Sequence, residues 1–109
     1  MKTEKIYHGL RKPQGAQVHV ITLGGSRLLP PRFDLRNHSP TGFEWGYAGS
    51  GPAQLALAIC ADVLEDDKEA LRVYQAFKAA VIACIAKDEF TLGERKVHQT
   101  IRDLQETRS

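Results

Sequence analysis

The segment Pro52–Leu64, "PAQLALAICADVL", is apolar on almost every side. A helix of that kind cannot lie along a surface, so the rest of the chain has to wrap over it. Proline suits the first helical turn, where its missing N–H would be unpaired anyway, so the helix is predicted to begin at Pro52. Ser50 or Gly51 is its expected cap. Gln54, Ala58, Ala61/Asp62 and Glu65 form its polar stripe. Gln54 and Asp62 need partners if buried. The glycine loop and the turn at Asn37–His38 are the expected places they anchor.

What precedes the helix reads as sheet. Lys5–Arg11 is predicted to be a strand, followed by a turn at "KPQG". Gln17–Leu23 alternates, with Val18, Val20 and Thr22 on one side and His19, Ile21 and Leu23 on the other. The two runs make an antiparallel hairpin. "GGSRLLPPRFDLRNHSPTG" reads as irregular, with Pro30–Pro31 excluding a central strand and Arg32–Leu35 a candidate short edge strand. "FEWGY" alternates again, predicting a strand with Phe43, Trp45 and Tyr47 on one face. Gly46 allows close approach to that strand, and Gly49 and Gly51 permit positive φ where the chain reverses.

After the central helix, Asp66 and Glu69 have capping-box spacing. Ala70, Tyr74, Phe77, Val81 and Cys84/Ile85 predict an amphipathic helix to about Lys87. "EFTL" reads as a short strand. Thr91 and Glu94 repeat the capping box before a last helix, "ERKVHQTIRDLQET", with a thin stripe of Val97, Ile101 and Leu104. The expected fold class is α+β: a small antiparallel sheet of three to four strands, mostly from the N-terminal half, packed against two or three helices.

The chain has enough apolar residues to cover such a helix. At 109 residues, 42% hydrophobic and 26% charged, it is expected to form one domain spanning 1–109. No apolar run approaches the ~20 residues that span a bilayer, and "MKTEKIYHGL" has no apolar signal region. A cytoplasmic location without a membrane partner is therefore expected. Cys60 and Cys84 fall in predicted apolar helices and are expected as buried thiols. No Cys/His spacing suits zinc, so neither a metal nor a cofactor is expected.

Charge is uneven along the chain. Residues 1–36 carry seven Lys/Arg against Glu4 and Asp34, while residues 37–109 carry eight against eleven Asp/Glu. Either the halves compensate each other, or the basic half meets a phosphate-bearing or acidic partner. The binding candidates are Arg27, Arg32, Arg36 and His38, around the loop before the aromatic run. Trp45 is a candidate stacking residue for bases. Gly49, Ser50, Gly51 and Gln54 are candidates for an anion site at the helix start, where backbone N–H groups attract phosphate. "AGSGP" has neither the P-loop lysine nor the G-x-G-x-x-G spacing. His38 with Ser39, Ser50 and Glu44 raises a triad reading, but no nucleophile elbow is present and no catalytic residue is assigned.

"NHSPTGFEWGYAGSGPAQLALAICADVL", with the later "YQAFKAAVIA", resembles the signature of a family of small single-domain proteins of bacteria, phages and plasmids, classed as a domain of unknown function. This chain has Ala48 where the family pattern has glycine. The resemblance implies a mobile-element context, in which proteins of this size often bind a host protein or nucleic acid and sometimes inhibit host defence. A non-catalytic macromolecule-binding accessory protein is the leading expectation. Its partner would be a host or phage protein, with weak nucleic-acid binding or a small phosphate or nucleotide ligand as alternatives.

Overall fold

The structure is a computed structural model and describes residues 4–107. Four strands, β1 (Ile6–Lys12), β2 (Gly15–Thr22), β3 (Gly25–Leu28) and β4 (Glu89–Gly93), form one antiparallel sheet in the order β3-β2-β1-β4. Three helices complete the α+β fold: α1 (Ser50–Leu64), α2 (Asp67–Ala80) and α3 (Glu94–Thr107).

The β1–β2 hairpin closes where Lys12 pairs with Gly15 across Pro13–Gln14, with Gly15 at φ +130°. Each strand is displaced by a residue or two from its predicted limits. Tyr7, Val18 and Val20 are buried toward the helices, as the alternation requires. Ile21 and Leu23 point away and stay exposed. Gly9 pairs with Phe90 of β4, whose ring lies where a Cβ would stand. That ring then meets Trp45 edge-on at 4.8 Å.

Three predicted features do not form. The glycine-rich segment read as irregular contains a strand, β3, joined to β2 by the turn Leu23–Gly24. Arg32–Leu35 is a turn rather than an edge strand: Leu35 N donates to Arg32 O, and Arg32 itself has φ +60°. "FEWGY" is not a strand. Gly46, at φ +91°, turns the chain so that its N–H donates to Ile82 O instead of to the sheet. The three aromatics consequently part company: Trp45 is buried, Phe43 half-buried and Tyr47 exposed.

Helix α1 starts two residues before Pro52, capped by Gly49 rather than by Ser50 or Gly51. The Gly49 carbonyl accepts from Ala53 N at 3.0 Å, and Pro52 remains within the first turn, where no N–H is missed. Neither Gly49 nor Gly51 has positive φ: Gly49 is extended, and Gly51 is helical and packs against the Glu44 backbone. Among the described residues only Arg32 and Glu65 are non-glycine residues of positive φ, so Ala48 sits in ordinary backbone. Gly51–Ala61 and Val63 are all buried, which makes α1 the central element its sequence demanded.

Helix α2 is capped by Asp66, whose carboxylate accepts from Glu69 N. It stops at Ala80, short of Lys87, because Val81 leaves helical geometry and a single tight turn, Ile82–Cys84, follows. Cys84 is therefore exposed, contrary to expectation, whereas Cys60 is buried and its thiol pKa is raised by that burial. The "EFTL" strand forms as β4, but Thr91 lies within it and caps nothing. Glu94 opens α3 by a reciprocal exchange instead, accepting from Lys5 N and donating its own N–H to Lys5 O, each at 2.9 Å. Val97 and Ile101 are buried and Leu104 is half-buried.

Candidate functional site

Lys5 and Tyr7 alternate into β1, and Tyr7 faces the helices. On β3, Arg27 stands opposite Val20 and shares that inward side. All three converge on Asp62 in α1. Its carboxylate accepts from Tyr7 OH at 2.5 Å, Arg27 Nη2 at 2.8 Å and Lys5 Nζ at 3.2 Å. Lys5 Nζ also reaches Asp62 O at 3.4 Å, at the negative end of the helix dipole. Burial pushes the Asp62 carboxyl up, but the bonds from Tyr7, Arg27 and Lys5 outweigh it and hold the pKa below the ordinary range. Tyr7 is raised, by burial first and then by its bond to Asp62.

These shifts fix two limbs of the pH–stability curve. A carboxyl with a lowered folded-state pKa stabilises above its unfolded pKa, and the gain disappears as pH falls through the folded value. A tyrosine with a raised folded-state pKa stabilises below its unfolded pKa and loses that gain as pH rises. The urea midpoint should therefore fall on acidification below the ordinary carboxylate range, and again above the ordinary tyrosine range. Asp62→Asn should flatten the acid limb. An unchanged acid limb in that variant would show that other carboxyls govern it.

Asp62 forms one wall of a cleft of about 340 Å³ with a floor of Ala58 and Ala61. Arg32, Glu65 and Asp67 also line it. Arg32 is held twice over. Its Nε and Nη2 donate to Asp34 at 3.0 Å each, and Nη1 and Nη2 donate to Asp67 at 3.1 and 2.8 Å. Those bonds, Asp34 first and Asp67 second, raise the guanidinium pKa further. The structure thus brings the predicted residues Arg27 and Arg32 to one cleft, each already paired with carboxylates. Arg36 lies apart, its Nη1 on Leu35 O at 2.7 Å.

Gln54 is fully buried and does what a buried amide must. Its Oε1 accepts from His38 N at 2.7 Å and Ser39 N at 3.2 Å. Its Nε2 donates to Pro31 O at 2.6 Å and Arg36 O at 3.0 Å. It anchors the loop at Asn37–His38, one of the two expected places, whereas Asp62, expected at the same places, bonds Tyr7, Arg27 and Lys5 of the sheet side instead. His38 Nε2 bonds Tyr74 OH at 2.7 Å, Glu44 bonds Arg11, and Ser39 bonds Thr41, so no triad assembles.

Trp45 is 1% exposed and is no stacking platform. The Arg11 guanidinium lies 4.7 Å from its ring centroid, and its Nε1 donates to Lys87 O at 2.8 Å. At the α1 start, Ser50 is exposed, Gly49 is covered by the Tyr47 ring, and Gly51 is buried against Glu44. The helix N-terminus is therefore largely roofed by its own chain.

The sequence reading missed Lys5, Glu65 and Asp67 as cleft residues and Tyr7 as a partner of Asp62. A signal existed for Lys5, Tyr7 and Glu65: Lys5 and Tyr7 share strand parity, and Glu65 belongs to the polar stripe of α1. Among the described residues no group of three or more His, Cys, Asp or Glu is arranged to hold a metal ion, and no helix is long and apolar enough to cross a membrane.

No curated protein and no solved structure matches the chain. A family model described as a family of unknown function (DUF6166) matches residues 7–103. With most of its length covered by that match, the chain belongs to this family of unknown function.

Proposed function

We propose that this chain is a non-catalytic accessory protein that binds another protein through the β2–β3 hairpin. One observation carries the reading. Of the five large apolar side chains left exposed among the described residues, three (Ile21, Leu23 and Leu28) lie on that hairpin, and Leu23 at its tip is 86% exposed. Clustered apolar exposure of this kind is a property of interaction surfaces. Helices cover only one face of the sheet. His19 and Leu28, directly opposite each other, belong to the uncovered face.

Charge supports a protein partner over nucleic acid. Lys5, Arg11, Arg27 and Arg32 of the basic half are all paired with carboxylates. Lys2 lies outside the described residues. Of that half's described Lys and Arg residues only Lys12 and Arg36 form no ion pair, which leaves it little unpaired positive charge to release counterions from a phosphate backbone. The resemblance to small phage and plasmid proteins supports a host protein as the partner, including one whose defence activity it inhibits.

Affinity capture from host extract by the wild-type chain and by Leu23→Asp/Leu28→Asp tests this. A partner retained by the wild type should bind the double variant at least about 30-fold more weakly, as for loss of an interface hot spot. Arg36→Glu should leave capture unchanged. Capture of nucleic acid that falls steeply with salt and is lost in Arg36→Glu would replace this reading.

A further inference from the structure

We infer that the cleft between β3, the Pro30–Arg32 turn and the C-terminal end of α1 binds a small zwitterion of the amino-acid class. Its ammonium would sit on Glu65 and its carboxylate on Arg27. The inference is independent of the hairpin surface. It starts from a count of hydrogen-bonding capacity. Asp62 already holds three donors, and both oxygens of Asp67 are on Arg32. Arg32 has all three of its guanidinium nitrogens engaged. Lys5 Nζ is committed to the carboxylate and carbonyl of Asp62.

The largest unused capacity lies on two groups. Arg27 uses only Nη2, so Nε and Nη1 are open for a carboxylate. The Glu65 side chain accepts no hydrogen bond and forms no ion pair within the described residues, yet it lines the same cleft. An unpartnered carboxylate, and a guanidinium that shares its charge with Asp62 but keeps two nitrogens unused, suit a ligand that carries an ammonium and a carboxylate. The cleft, at about 340 Å³, is at the small end of ligand-site volumes. Helix α1 ends there, and its dipole adds to the attraction for an ammonium.

Backbone conformation marks the same place. Glu65 stands at φ +52°, at the helix end where glycine is ordinarily preferred, and Arg32 stands at φ +60°. Both non-glycine residues of positive φ among those described line this cleft. Side chains held in that region at a stability cost point to a use for the side chain.

The probe is the set of standard L-amino acids at millimolar concentration, read by ligand-observed NMR on the full chain. At least one should bind. Its N-acetyl and carboxamide derivatives, each lacking one charge, should bind at least about tenfold more weakly, the loss expected for one charge-assisted hydrogen bond. Arg27→Gln and Glu65→Gln should cause losses of the same order, with melting temperatures confirming the fold. Glu65→Gly should lose binding while melting higher than the wild type, an outcome that a structural role for the carboxylate would reverse. Absence of binding by every amino acid overturns the proposal. So does full affinity in either blocked derivative or in either side-chain variant.

Discussion

Gln54→Leu is expected to destabilise the protein by about 3–5 kcal/mol. Leucine matches glutamine in size closely enough that packing within α1 should survive. What disappears is the partner of four backbone groups. His38 N and Ser39 N lose their acceptor, and Pro31 O and Arg36 O lose their donor. Gln54 has no exposed surface, so water cannot reach its position without opening the loop. Each buried group left unpaired costs about 1–3 kcal/mol, and part of that is recovered as the loop moves outward to solvent. A domain of this size has roughly 5–15 kcal/mol in total, so the loss is a large fraction of it. A urea titration gives the magnitude, and hydrogen exchange at the His38 and Ser39 amides should accelerate well beyond the change seen in β1. Gln54→Glu separates the two halves of the interaction. Its carboxylate still accepts from the two amides but presents an unprotonated oxygen to two carbonyls. Its stability should therefore recover as acid protonates it, opposite in sign to the acid limb set by Asp62. A Gln54→Leu midpoint within error of the wild type would mean that the loop does not depend on this side chain.

The same residue shows which features the sequence made legible. A glutamine in an otherwise apolar helix must be satisfied, and the turn rich in Asn, Ser and Pro upstream was the natural source of backbone groups. Helix α1, the β1–β2 hairpin, β4 and the Asp66 cap were likewise legible, because local periodicity or a local cap determines each. The failures share a cause as well. β3 carries no alternation of apolar residues, since its inward side chain is Arg27, which is neutralised by a carboxylate 35 residues away in sequence. "FEWGY" has faultless alternation, yet Gly46 spends its N–H on Ile82. Alternation describes side chains and is silent on where the backbone finds its partners. The cleft was legible only in pieces. Arg27 and Arg32 stood out by charge, but Lys5 and Tyr7 meet Asp62 across separations of 57 and 55 residues. Only the register of the sheet against α1 brings those together. The expected arginine surface takes a different form in the fold: Arg27 is paired with Asp62 and Arg32 with Asp34 and Asp67, while Arg36 bonds only a backbone carbonyl.

Trp45→Ala should cost about 3–5 kcal/mol, the range for removing a fully buried large aromatic. Three contacts go with the ring. Phe90 loses its edge-on partner across Gly9, which has no side chain to fill the gap. Lys87 O loses the indole donor, although Lys87 is exposed and water can replace that bond. Arg11 loses the face beneath its guanidinium, a contact worth about 0.5–2 kcal/mol. The last loss spreads, because Arg11 also holds Glu44, Asp88 and the Trp45 carbonyl and so ties β1 to the segments before α1 and β4. Trp45→Phe should cost less, about 1–2 kcal/mol, since it keeps an aromatic face for Arg11 and Phe90 while shrinking the volume. Circular dichroism must follow the unfolding, because the chain has one tryptophan and the variants have none. In the wild type that single tryptophan should resist acrylamide quenching until the urea transition. Early quenching, or a Trp45→Ala loss below about 1 kcal/mol, would place the ring at the surface and reopen the base-stacking reading that its burial argues against.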